Sequence, residues 1–140
     1  MPTLFTRIIE GELPAHFVWK DDVCVVFLSI APLKPGHCLV VPRAEIDHWL
    51  DAEPDVYAHL ARVSQKVGRA LMQAFSPERI ATLILGMEVN HLHVHVVPIW
   101  SEGDVNFRNA DTSASQDALA EAAARVRDAL RALGHEEVSE

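Results

Sequence analysis

The 140-residue sequence predicts an α+β fold: an antiparallel sheet of about five strands, a long helix between the third and fourth, and a helix at the C-terminus. Three observations carry that expectation. Short apolar, β-branched runs cluster together between turn residues instead of alternating with helices, which favours an antiparallel sheet over a doubly wound parallel one. Residues 53–75 and 115–134 switch to apolar positions every three or four residues, the period of a helix packed on one side. Hydrophobic residues make up 49% of the chain and charged ones 23%, enough to bury a core, in a length that fits a single domain over 1–140.

The elements follow in order. Residues 3–11 form a short amphipathic helix, with Leu4, Phe5, Ile8 and Ile9 spaced by three and four and Gly11 where a helix stops. Residues 17–19 and 23–30 are rich in aromatic and β-branched side chains around the turn pair Asp21–Asp22, a hairpin. Pro32 and Pro35–Gly36 break the chain before a third strand at 37–41, which Pro42 closes. In the long helix Val56, Leu60, Val63, Val67, Leu71 and Phe75 share a face, and Pro54 suits its first turn. Strands follow at 80–85 and 91–99. Residues 101–114 are polar and loop-like, and the last helix presents Leu119, Ala122, Val126, Leu130 and Leu133 before Gly134 stops it.

Bulk properties narrow the function. A formal net charge of −8 argues against a nucleic-acid partner, whose binding rests on clustered Lys and Arg. No apolar run reaches the roughly 18–20 residues that span a bilayer, and the N-terminus does not resemble a secretory signal. Cys24 and Cys38, both in apolar surroundings, read as buried free thiols. These features point to a cytoplasmic protein with no membrane partner.

The chemistry concentrates in residues 90–98, NHLHVHVVP. On a strand, side chains alternate between faces, so His91, His93 and His95 share one side while Leu92, Val94 and Val96 face the core. Three explanations compete. A solvated surface row is the plainest, but this row has no Lys, Glu or Thr among its histidines. A metal site could use two imidazoles of the row, yet its further ligands would be distant, among His37, His48, His59 and Glu88, and no HExxH motif or cysteine pair assists. The third is covalent catalysis on phosphorus: one neutral imidazole attacks, and a neighbour stabilises charge and assists the leaving group, with no metal or cofactor.

HLHVHVV resembles the signature His-φ-His-φ-His-φ-φ of the histidine triad (HIT) superfamily, where φ is apolar. Upstream, TLFTRIIEGELP is similar to its opening CxFCxIIxGEIP, and VVFLSIAPLKPGHCLVVPR to its AFLDIxPLxxGHTLVIPK. The likeness spans the motif-bearing core, 3–100. It implies a meander of antiparallel strands, a homodimer with joined sheets, and a nucleotide hydrolase or transferase of the Hint/HIT-like branch. The substrate would be a small nucleotide such as a nucleoside phosphoramidate or dinucleoside polyphosphate. By the same resemblance His93 is the nucleophile toward the α-phosphorus, His95 contacts the phosphate and helps the leaving group, and His91 and His37 buttress the site. Phe5, Ile8, Leu13, Phe27, Leu28, Ser29 and Ile30 would line the base and ribose pocket.

The chain also departs from the pattern. Ser29 stands where an Asp or Asn often binds the ribose hydroxyls, and its short neutral hydroxyl offers less. Met87 falls where a Gln donates to phosphate. Thr3 and Thr6 replace the zinc-binding cysteines of some members, so an N-terminal structural zinc is not expected. Glu45 takes the place of a usual histidine, with His48 nearby. These departures keep a second class open: a nucleotide-binding or altered-substrate protein that retains the triad.

Overall fold

The computed structural model describes residues 2–140. Strands β1 (Phe17–Lys20), β2 (Cys24–Leu28), β3 (Cys38–Pro42), β4 (Arg79–Leu83) and β5 (Val94–Ile99) form one sheet in the order β1-β2-β3-β5-β4. Every neighbouring pair is antiparallel. Helix α1 (Leu4–Ile9) precedes the sheet, α2 (Pro54–Phe75) links β3 to β4, and α3 (Gln116–Ala132) closes the chain. Pro54 occupies the first turn of α2, and Ser76 ends it in the left-handed conformation at φ 51°. The Ser115 hydroxyl caps α3 by accepting from Ala118 N–H.

The alternation of side chains divides the apolar residues between two sides of the sheet. Val26, Leu28, Cys38, Val40, Val94 and Val96 pack with Leu60, Val63, Val67 and Leu71 of α2 and with Val126 and Leu130 of α3. Fully burying each such side chain stabilises the fold by about 1.5–3 kcal/mol. Val25, Phe27, Leu39 and Val41 form a smaller cluster with Phe5 and Ile8 of α1. Both cysteines are buried and free, and their burial pushes the thiols up. No helix among the described residues is long and apolar enough to cross a membrane.

Three details differ from the sequence expectation. Leu133 is 41% exposed, because it is the C-cap of α3 and not part of its packed stripe. The fourth strand ends at Leu83, two residues early. More consequentially, β5 begins at Val94, not at His91. The register Cys38↔Val96 and Val40↔Val94 would set Leu92 opposite Pro42, which has no N–H to give a ladder. Leu92 N–H instead bonds Ile46 O at 2.6 Å, so residues 91–93 are held by side chains and a neighbouring loop.

Candidate active site

Phe27, Leu39 and His95 lie opposite one another across β2, β3 and β5, on one side of the sheet. His91, His93 and His95 are all buried although the first two precede the strand. The His93 and His95 rings sit 4.9 Å apart, centre to centre. Phe5 stands edge-on to His93 at 5.0 Å and to Phe27 at 5.4 Å, which ties α1 to the histidines. His37 arrives from the turn at Pro35–Gly36. Gly36 has φ 94°, and a Cβ there would meet Phe75 Cε2 at 2.5 Å, so glycine alone fits.

The hydrogen bonds assign one proton to each ring. Leu33 N–H donates to His37 Nδ1 at 3.0 Å, so the His37 proton is on Nε2. It can only be donated to His95 Nδ1, 2.9 Å away, which puts the His95 proton on Nε2. His93 Nδ1 lies 2.7 Å from His91 O. A carbonyl only accepts, so Nδ1 carries the proton and Nε2 keeps its lone pair. By the same logic His91 Nε2–H donates to Pro42 O at 2.8 Å, and its Nδ1 accepts from the Thr3 hydroxyl at 2.6 Å.

The electrostatics agree with four neutral rings. Burial, then the neighbouring His95 and His93, lower His37 to about 3. Burial and His93 lower His95 to about 4. His91 and His93 are also lowered, chiefly by burial. The result is a free imidazole lone pair on His93 beside an N–H donor on His95.

The other expected site residues separate. Phe5 stands against His91 and His93, and Ile8 and Phe27 share its apolar cluster, with Leu13 at the margin. Leu28 points to the opposite side of the sheet, into the main core. Ile30 is 72% exposed. The Ser29 hydroxyl accepts from Ala31 N–H at 3.2 Å, capping its own turn. Met87 is exposed. Phe107, unmarked in the sequence reading, stands 5.0 Å from the His95 ring; a lone aromatic in a polar loop was its only signal. Of the outlying metal-ligand candidates, His37 joins the triad but has both ring nitrogens engaged, by Leu33 N–H and by His95, while His48 and His59 lie elsewhere. His48 caps the turn at Trp49–Asp51. His59 bonds Asp21 at 2.8 Å. Among the described residues, the group of metal-binding types drawn together is Asp21, Cys24 and His59, which includes no triad histidine.

The HIT domain family matches residues 10–102. The chain belongs to the HIT family. An uncharacterised HIT-like protein of Saccharolobus solfataricus is 36% identical over 104 residues, 71% of this chain and 75% of that protein. An adenylylsulfatase of Arabidopsis thaliana is 27% identical over 100 residues, 68% of this chain and 51% of that protein. Among solved structures, a hypothetical histidine triad nucleotide-binding protein of Sulfolobus tokodaii superposes with a TM-score of 0.82 at 26% identity, covering 92% of each chain. A HIT-like protein of Bartonella henselae does so at 0.79 and 28%, covering 91% of this chain and 95% of that one. This HIT domain therefore has the family's fold, and its triad residues are the buried, mutually oriented histidines described above.

Proposed function

We propose that this protein is a nucleotide-binding hydrolase or nucleotidyl transferase that works through a covalent nucleotidyl-His93. The tautomer set carries the reading. His93 Nε2 has a free lone pair because its Nδ1–H is committed to His91 O, and His95 presents Nε2–H because its Nδ1 is committed to His37. In the first step His93 Nε2 forms a bond to the α-phosphorus while the bond to the leaving group breaks. His95 Nε2–H bonds a phosphoryl oxygen and stabilises the charge there; the bound anion raises the proton affinity of the pocket, and one proton taken up from solvent with the substrate departs on the leaving group. In the second step water attacks phosphorus, the P–N bond breaks, His93 Nε2 regains its lone pair, and the proton shed by the water returns to solvent, balancing the one taken up in the first step. Phe5, Ile8, Leu13 and Phe27 supply an apolar bed for the base, with Ser29 at its edge. A nucleoside phosphoramidate or dinucleoside polyphosphate is the substrate class.

Brief mixing of the protein with a nucleoside phosphoramidate, followed by acid-free quenching and mass spectrometry, is expected to show one added nucleotidyl group on the peptide holding His93. Turnover without an adduct at His93, trapped at any time, would overturn the covalent route.

The reading includes a homodimer. β4 is an edge strand, and beside it a groove of about 730 Å³ is lined by Trp49, Tyr57, Met72, Ile80, Leu83 and Ile84. A free edge next to apolar surface favours a second sheet. Sedimentation equilibrium is expected to give the mass of two chains; the mass of one chain would remove the dimer from the proposal.

A further inference from the structure

Residues 91–93 lie outside the strand ladder, yet the His93 proton position depends on where the His91 carbonyl points. That carbonyl belongs to the peptide whose N–H is Leu92's. The peptide is planar, so anchoring one end aims the other. Leu92 N–H is held by Ile46 O, and the carbonyl is directed to His93 Nδ1. The His91 side chain fixes the same residue from its other end. Its ring is pinned at both nitrogens, by Pro42 O and by the Thr3 hydroxyl. The segment 42–46 thus grips residues 91 and 92 at two points.

Thr3 is itself held. Its N–H donates to Glu45 Oε1 at 2.9 Å, and its hydroxyl accepts from Thr6 N–H at 3.0 Å as the cap of α1. The Thr6 hydroxyl lies 3.1 Å from the Thr3 hydroxyl, and hydrogen bonding from Thr6 and then from Thr3 N–H holds Glu45 below the usual carboxylate range. With the His91 proton on Nε2 and given to Pro42 O, Nδ1 can only accept, so the Thr3 proton goes to His91 and the Thr3 oxygen is left to accept from the Thr6 hydroxyl beside it.

We infer that Thr3, Thr6 and Glu45 are positioning residues for His93. Their hydroxyl–carboxylate clasp fixes the His91 ring and peptide, and so keeps the His93 proton on Nδ1 and its lone pair on Nε2. The consequence for turnover rests on the nucleophile role proposed above; the consequence for the tautomer does not.

The test separates the clasp from the helix cap. Thr3→Asp keeps a cap acceptor for Thr6 N–H but has no proton to give a neutral His91; Thr3→Val removes both functions; Thr3→Ser keeps both. Imidazole nitrogen chemical shifts are expected to show His93 as a pure Nδ1–H tautomer in the wild type and in Thr3→Ser. In Thr3→Asp and Thr3→Val the signals move toward a mixed or protonated state. With a phosphoramidate, kcat in those two variants is expected to fall about 10- to 100-fold, the range for displaced supporting groups, while KM changes little and Thr3→Ser is restored. Unchanged His93 shifts in folded Thr3→Asp would overturn the inference. If the wild type turns over no nucleotide, the shifts still decide it, and the failure then belongs to the proposed activity.

Discussion

His93→Ala is expected to lower turnover of a nucleoside phosphoramidate by at least about 10³-fold while leaving the chain folded. The size follows from the role: without the Nε2 lone pair no P–N bond forms, and neither His95 nor His37 can replace it. Nδ1 of His95 accepts from His37, and the free nitrogen of His95 carries its proton. Folding survives because the site lies over the smaller apolar cluster, apart from the main core between the sheet, α2 and α3. His95→Ala provides the contrast. It removes a phosphate donor and the help to the leaving group, so its cost grows with the basicity of that group. A substrate with an acidic leaving group is largely spared in His95→Ala and not in His93→Ala. Steady-state kinetics of both variants on two such substrates check this. Equal activity of His93→Ala and wild type would end the nucleophile assignment. A wild type that binds nucleotide without turnover, and binds equally well as His93→Ala, would make this HIT domain a binding module, the outcome Ser29 and Met87 leave open.

Much of this architecture was legible because local chemistry and global packing agree. The helical spacing of Leu60, Val63, Val67 and Leu71 and the turn at Asp21–Asp22 sit where the pattern puts them. The triad was legible because His-x-His-x-His leaves Leu92, Val94 and Val96 as a continuous apolar side, and those residues do enter the core. What escaped has physical reasons. Phe27 and Leu28 both match the family pattern, but adjacent strand residues face opposite ways, so only Phe27 lies on the histidine side of the sheet. The start of β5 depends on Pro42, fifty residues earlier, as the partner that cannot donate. Thr3 and His91 are 88 positions apart and Thr3 and Glu45 are 42 apart; no local pattern encodes such pairs. The same long-range contacts that spacing could not foretell decide which nitrogen of each ring holds a proton.

Those ring states also set the response to acid. His37 is held at about 3 and His95 at about 4, and His91 and His93 are lowered as well. In the unfolded chain each titrates near 6.5. Between these limits the unfolded state binds more protons, so stability rises with pH. The folded state is therefore fully favoured above about pH 6.5 and loses ground as pH falls through that window. His37 alone contributes on the order of 3 kcal/mol of loss by pH 4.5. Asp21 acts in the same direction at lower pH. Burial raises its pKa, but bonds from Trp19, Cys24, His59 and Val23 outweigh this and hold it well below the carboxylate range. Urea unfolding is expected to show a midpoint that drops steeply between pH 7 and pH 4.5, with an unchanged denaturant slope. In His37→Gln the pH dependence should weaken by about one proton. Activity should have its acid limb below pH 6.5, because His93 must stay neutral to attack and its folded pKa is depressed. A urea midpoint that is flat across this range would mean the buried histidines take up protons as readily in the folded chain as in the unfolded one. The rings would then be neutral only above the ordinary histidine range, and the acid limb of activity would move up to about pH 6.5.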